Sequence, residues 1–341
     1  MKISKVVVIG SGTMGSGIAA QVANAGINVQ LLDLTKEIAS NACERIKKSR
    51  PPLLMEENNI NLITPGSIEN DLESLKEADW VVEAVVERID IKKTLYSQID
   101  SLRKPGAFVS SNTSSIPLSV LTEDMSEEMK EVFCITHFFN PVRYMKLLEL
   151  VIGKENNKEK INDLVAFGDK VLGKTVVVCN DSPGFLGNRV GVYAMQVAMT
   201  EAFNLGLSVE EADAVFGRPL GIPKTGIFGL YDLIGIDLMA DVLKSFIKEL
   251  PDSDPFHDVG KELPIINQLI KDGYTGRKGK GGFFRMNKSS GVKVLESLNY
   301  KNNTYNESKK VDLQLPDVMD IAKVLNRQDV YGKYAWSIMK K

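Results

Sequence analysis

The chain has 341 residues, 43% hydrophobic and 25% charged, with a formal net charge of -2 from 42 basic and 44 acidic residues. That length points to about two domains, and the composition is that of an ordinary globular protein. A balance this close to neutral gives no electrostatic reason to expect nucleic acid or a membrane as the main partner.

Cys43, Cys134 and Cys179 lie far apart, with no CxxC. Neither a disulfide framework nor a zinc site is expected, and no metal is assigned; a reducing, cytoplasmic setting is the simpler reading. The first apolar run is cut short at Gly10, too soon for a signal segment, and no apolar run of about 20 residues follows to span a bilayer.

Lys5–Ile9 is a β-branched run ending at Gly10, the pattern of a buried parallel strand. Helical patterning continues to about Asn24, Gly26 sits where a C-terminal cap belongs, and Val29–Leu32 is a second strand. Further apolar runs fall at Trp80–Val82, Ala107–Val109, Val132–Phe138, Leu147–Val151 and Thr175–Cys179, with helical stretches between several of them. The alternation predicts an α/β fold: a Rossmann-type, doubly wound parallel sheet over residues 1–180. Strand signals become rare after Asp181. Pro183 is placed to open a helix through Phe185–Leu205, and residues 181–290 are expected to form a mainly α-helical second domain. The polar run Asn299–Lys310 reads as a linker. From Pro316 two short amphipathic stretches follow, with Val318, Ile321 and Leu325 on one face, so 291–341 is expected to be linker and partial helical tail.

Gly10-Ser11-Gly12-Thr13-Met14-Gly15 fits GxGxxG. The first glycine permits a tight turn, the second lets the backbone approach a pyrophosphate, and the third allows helix and strand to pack closely. The pattern directly follows a strand, and Asp33 ends the next strand 18 residues after Gly15. This is the context of a dinucleotide fingerprint. Asp33 would bond the adenosine ribose and repel a 2′-phosphate, which favours NAD; Lys36 leaves NADP open.

Only two histidines are present. His257 lies in a polar Asp- and Pro-rich stretch and reads as a solvated residue. His137 ends an apolar run at the C-terminal end of a predicted strand, where open α/β sheets bind ligands. It is either a satisfied core residue or a proton carrier. Glu149 sits inside the apolar run Leu147–Val151. It either points to solvent from an edge strand or is buried, and a buried acid needs a donor such as His137.

The run His137-Phe138-Phe139-Asn140-Pro141-Val142, followed by Met145-Lys146-Leu147-Leu148-Glu149, resembles the signature of 3-hydroxyacyl-CoA dehydrogenases. So do Ser111-Asn112-Thr113-Ser114-Ser115, Asp181-Ser182-Pro183-Gly184-Phe185 with Asn188-Arg189, and Val82-Glu83-Ala84-Val85-Val86-Glu87. The resemblance covers about residues 3 to 285. It extends to Gly221–Asp232 and to Tyr274–Phe284.

The resemblance implies NAD-dependent oxidation of an (S)-3-hydroxyacyl-CoA in fatty-acid β-oxidation or butyryl-CoA metabolism. His137 would be the general base and Glu149 its orienting partner. Ser114 and Asn188 would hold the substrate oxygen, and Asn140 the thioester end. Glu87 and Lys92 would meet the nicotinamide half of NAD, with Gly10, Gly12, Met14, Gly15, Asp33 and Asn112 completing the cofactor set. Developing charge on the substrate oxygen suits neutral donors. From the residues alone, Ser114 reads equally as a helix cap near Ile116, and Asn188 as a solvent-facing helical residue. Lys47, Lys48 and Arg50 read either as a patch for coenzyme A phosphates or as a solvated helix face.

Arg50-Pro51-Pro52-Leu53-Leu54 and the tail beyond Phe284 resemble the dehydrogenase portion of larger bacterial multifunctional β-oxidation proteins. Asp329–Met339 resembles the lead-in to a second helical copy, so a piece of a longer protein or a shortened relative is expected. A homodimer through the helical domain is the expected assembly. Two other functions stay open: a dehydrogenase of a free 3-hydroxy or sugar acid, and an idle NAD-binding scaffold.

Overall fold

The computed structural model describes residues 2–289, 291–314 and 318–341. They form two compact units, the first ending at Gly187 and the second beginning at Asn188. Each has its own apolar core.

The first unit opens with β1 (Lys5–Ile9), α1 (Thr13–Asn24), β2 (Asn28–Asp33) and α2 (Lys36–Lys48). Local chemistry sets these limits. Gly26, at φ 76°, takes the left-handed turn after α1. The Thr35 side chain caps α2 by accepting from the Ile38 amide, with Glu37 in the first turn and Arg45, Lys47 and Lys48 in the last. There follow β3 (Ile63–Ser67), β4 (Trp80–Glu83), α3 (Ile89–Leu102), β5 (Phe108–Ser111), β6 (Phe133–Phe138), β7 (Leu147–Val151), α4 (Lys158–Lys170) and β8 (Thr175–Cys179).

The sheet order is β3-β2-β1-β4-β5-β6-β7-β8. The chain leaves β1 on one side and returns as β4 on the other, so the strand order reverses between them; open sheets bind ligands outside such a crevice. The parallel sheet expected from the sequence is present with one exception: β6 and β7 run antiparallel, with His137 directly opposite Glu149.

In the second unit, the helix α5 (Gly187–Asn204), whose first residue closes the first unit, leads to α6 (Val209–Val215), α7 (Gly226–Ile234), α8 (Ile236–Glu249) and α9 (Pro264–Lys271). α5 begins four residues beyond Pro183, because Gly184 (φ 72°) and Phe185 (φ 49°) are left-handed and cannot belong to a right-handed helix. Ser208 and Glu211 form a reciprocal capping box at α6. Asp213, on α6, accepts from the Phe228 and Gly229 amides in the first turn of α7 at 2.7 and 3.0 Å.

The stretch Asn299–Lys310 is not a linker. It belongs to an antiparallel sheet of β9 (Phe284–Asn287), β10 (Val294–Asn299) and β11 (Thr304–Glu307). Leu298 is buried in the core and Tyr300 and Tyr305 pack against it, so a polar-looking run still carries an inward face. Short helices at Ile321–Leu325 and Val330–Lys340 end the chain. Val324 is the buried residue of the first; Val318 is 70% exposed and does not share its face. Pro316 lies outside the described residues. His257 is half-buried, with its Nε2 3.3 Å from the Leu250 carbonyl oxygen, rather than freely solvated. Among the described residues no helix is long and apolar enough to cross a membrane.

Candidate active site

The β1–α1 turn has the shape a dinucleotide requires. Gly10 has φ +98°, and a Cβ there would lie 2.5 Å from the Ala84 carbonyl oxygen. A Cβ on Gly15 would lie 1.8 Å from the Gly10 oxygen, so α1 packs on the turn only without a side chain. Gly12 differs: a Cβ there would meet nothing within 4 Å. It is also the N-cap of α1 and supplies no side-chain cap. Open space beside an uncapped helix start is what a pyrophosphate fits. Met14 is half-buried one residue before Gly15.

Asp33 closes the turn from β2. It accepts from the Ser11 amide and hydroxyl, both at 2.6 Å, and from the Leu34 amide at 2.8 Å. Arg45 on α2 donates to the Ser11 carbonyl oxygen at 3.0 Å; a contact across 34 residues has no signature in the linear sequence. Lys47 and Lys48 are exposed and share Glu44, while Arg50 donates to the Ser49 carbonyl.

At the other side of the sheet His137 and Glu149 meet. Antiparallel pairing sets them side by side on one face, with Nδ1 2.6 Å from Glu149 Oε2. His137 is 6% exposed and Glu149 fully buried. The solvent-facing alternative for Glu149 therefore fails. Its second oxygen accepts from the Leu186 and Gly187 amides at 2.8 and 2.6 Å. Burial works against ionisation, but the His137 hydrogen bond and these two amides outweigh it and hold the Glu149 carboxyl below its ordinary value of 4.5.

An ionised carboxylate only accepts, so Nδ1 carries a proton, and in the neutral form of the ring the lone pair is then on Nε2. The rings of Phe139 and Phe185 flank the imidazole at 4.5 and 5.7 Å. Sequence reasoning missed the two amides. Backbone donors leave no residue signature, although the left-handed pair Gly184–Phe185 aims them.

The other predicted residues of this unit follow β4, β5 and β6, with Lys92 on α3. Lys92 is 1% exposed and donates to Glu83 at 2.7 Å, with Glu87 3.2 Å away. Glu87 also accepts from Ser115 Oγ at 2.9 Å and from Thr113 Oγ1. Asn112 bridges strand ends: its amide donates to the Glu83 carbonyl at 2.8 Å, and its Oδ1 accepts from the Phe138 amide at 3.0 Å. Ser114 is exposed. It is not a helix cap, because the nearby helix starts at Leu118 and its first amides donate to Asp181. Asn140 is exposed at the end of β6, before Pro141. Asn188 is half-buried and opens the second unit.

A glycine-rich turn at the crevice between β1 and β4, an acid at the tip of β2 and a buried His–Glu pair farther along the same sheet edge define a dinucleotide-binding protein of the Rossmann class. Residues 5–182 match the family described as "3-hydroxyacyl-CoA dehydrogenase, NAD binding domain", and residues 184–286 match "3-hydroxyacyl-CoA dehydrogenase, C-terminal domain". The chain belongs to the 3-hydroxyacyl-CoA dehydrogenase family, and it contains that family's NAD-binding domain.

It is 42% identical over 339 residues to a Rickettsia felis protein named as a fatty acid oxidation complex trifunctional enzyme, which covers 97% of this chain and 47% of that one. It is 38% identical over 295 residues to a Deinococcus radiodurans protein named as a 3-hydroxyacyl-CoA dehydrogenase, covering 84% of each. The solved structure of the (S)-3-hydroxybutyryl-CoA dehydrogenase of Ralstonia eutropha matches with a TM-score of 0.66 and 30% identity, over 82% of this chain and 98% of that one. The chain spans about half the length of several of the curated relatives it matches, 47% in two of them and 46% in a third.

Proposed function

We propose that the protein oxidises the 3-hydroxyl of an (S)-3-hydroxyacyl-CoA to the 3-oxo thioester with NAD, serving fatty-acid β-oxidation or butyryl-CoA metabolism in the cytoplasm. The observation that carries this reading is the His137–Glu149 pair, buried at the C-terminal end of β6 with Nδ1 held by the carboxylate.

His137 Nε2 takes the proton of the substrate hydroxyl, and Glu149 stabilises the imidazolium that forms. The bound NAD supplies the hydride acceptor for the hydrogen on C3. Ser114 and Asn188 donate to the substrate oxygen as it becomes a carbonyl, and Asn140 orients the thioester end. Gly10, Gly12, Met14 and Gly15 receive the pyrophosphate half of the cofactor, Asp33 its adenosine ribose, and Glu87, Lys92 and Asn112 its nicotinamide half. Three free thiols agree with a reducing compartment. Pairing of two copies through the helical unit completes the reading; Val190, Leu233 and Leu238 give that unit exposed apolar surface at 59, 51 and 49%.

The test follows NADH absorbance with acetoacetyl-CoA and, in parallel, with free acetoacetate, comparing wild type with His137→Ala. Turnover on the thioester alone, reduced at least about 10²-fold in the variant, is the expected result. Turnover on the free acid would move the substrate to a hydroxy or sugar acid. NADH binding without turnover on either would make the chain a nucleotide-binding scaffold.

A further inference from the structure

Glu83 gathers more buried hydrogen bonds than the chemistry above uses. It ends β4, paired in register with Ile9 of β1 on one side and Ser111 of β5 on the other. Its side chain is fully buried. One oxygen accepts from the Val85 amide and from Lys92 Nζ, each at 2.7 Å. The other accepts from the Tyr96 hydroxyl at 2.6 Å and from Ser111 Oγ at 2.7 Å. Lys92 then reaches Glu87 at 3.2 Å, and Glu87 is held by Thr113 and Ser115.

This places two carboxylates and one ammonium in a single connected group. Burial opposes ionisation of Glu87, but Lys92 and the two hydroxyls outweigh it and keep its carboxyl below its ordinary value. Two carboxylates and one ammonium give the group a formal charge of about -1. Nearby charges are paired at the surface, Arg88 with Asp90 and Lys93 with Glu123 and Asp124. The group sits beside the crevice: the chain leaving Glu83 runs so close to the glycine-rich turn that a Cβ on Gly10 would lie 2.9 Å from the Val85 nitrogen.

A buried ion pair is weak evidence for stability, since apolar residues of similar size often replace one without loss. The excess negative charge points to function instead. Oxidised nicotinamide carries a ring cation and the reduced ring is neutral. A fixed negative charge distinguishes them, most strongly where it is poorly screened, as at the buried Glu83, and less at Glu87, which is partly exposed.

We propose that the Glu83–Lys92–Glu87 group selects the oxidised cofactor over the reduced one, with Glu83 as the positioning residue that sets the charge and fixes both flanking loops. The inference deepens the dehydrogenase reading and rests on it. Two unit charges on the order of 10 Å apart, at an effective dielectric constant of about 20, give roughly a tenfold preference.

The test is calorimetric titration of the full chain with NAD and with NADH, without acyl substrate, for wild type, Glu83→Gln, Glu87→Gln and Tyr96→Phe. Both charge-removing variants are expected to raise the Kd for NAD about tenfold more than the Kd for NADH. Tyr96→Phe removes a donor and no charge, and is expected to move both constants in equal proportion. Equal proportional changes in the charge variants would overturn the proposal, as would a shifted ratio in Tyr96→Phe as large as in Glu83→Gln. Should Glu83→Gln fail to fold, Glu87→Gln decides alone, because that side chain is 39% exposed. Wild type binding neither nucleotide would overturn the dehydrogenase reading itself; binding of both with an unchanged ratio in the variants overturns only the charge argument.

Discussion

At Glu149 a single hydrogen-bond acceptor decides whether His137 can act as a base. The carboxylate can only accept, which fixes the hydrogen on Nδ1. In Glu149→Gln the amide oxygen can still accept from the Leu186 and Gly187 backbone, so the fold around it is kept. The amide nitrogen then faces Nδ1 and donates to it, which moves the ring hydrogen to Nε2, where no base remains. We expect kcat to fall about 10²- to 10⁴-fold while the Kd for NADH stays within about twofold; steady-state turnover and nucleotide titration on the same preparation separate the two. The pair also links stability to acid. The folded Glu149 carboxyl lies below its ordinary value of 4.5, so its contribution is present above about pH 4.5 and is lost as pH falls through the lowered folded value. Urea midpoints of wild type and Glu149→Gln are expected to converge as pH falls through that window.

At the scale of elements, the join between α6 and α7 behaves in the opposite sense. Asp213 accepts amides from the first turn of α7, yet burial overrides them and raises its carboxyl from 3.8 to about 7. Asp232 follows to about 6 for the same reason, while accepting from the Phe283 and Phe284 amides at 2.8 and 2.7 Å. A folded value above the unfolded one means that the native state binds the extra proton, so stability falls as pH rises from about 4 to 7. Asp213→Asn removes the titration and keeps one of the two acceptors, since the Phe228 and Gly229 amides go to different carboxylate oxygens and one of them would then face the new NH2 group. Its stability is expected to vary less with pH than that of wild type across that window, whatever the offset from the lost acceptor; denaturant titrations at spaced pH values check it.

The same scale explains what was legible in the sequence. The β1–α1–β2 unit could be read because its determinants are local: a β-branched run, three glycines, a cap and an acid. β3 was missed because Ile63–Ser67 contains Pro65 and Gly66, and it survives as an edge strand. The antiparallel turn of β6 onto β7 was also missed. Direction is set by the loop 139–146, which Lys174 pins from beneath by donating to the Val142 and Met145 carbonyls. Within the site, side chains such as His137 and Glu149 stood out against apolar runs. The Glu83 network did not, because Tyr96 and Ser111 become its partners only once β4, α3 and β5 are packed.

For the whole molecule, the apolar clusters divide by unit: two cores use residues up to Phe185 and the third begins at Val192. A division of this kind predicts that the first unit folds by itself. Residues 1–187 hold the glycine-rich turn, Asp33, the Glu83 network, and Glu149 with both amides that fix it. They lack Asn188 and every helix of the second unit. Expressed alone, this stretch is expected to unfold cooperatively and to bind NADH within about tenfold of the full chain, because none of the residues assigned to the cofactor lies beyond Asn112. Its turnover of acetoacetyl-CoA is expected to fall at least about 10²-fold, because Asn188, one of the two donors proposed for the substrate oxygen, is gone. Circular dichroism, NADH fluorescence and the thioester assay on the two lengths test the three parts separately. A stretch 1–187 that folds but no longer binds NADH would place cofactor contacts in the second unit, where none has been assigned; one that turns over the thioester at the full-length rate would remove Asn188 from the proposed site.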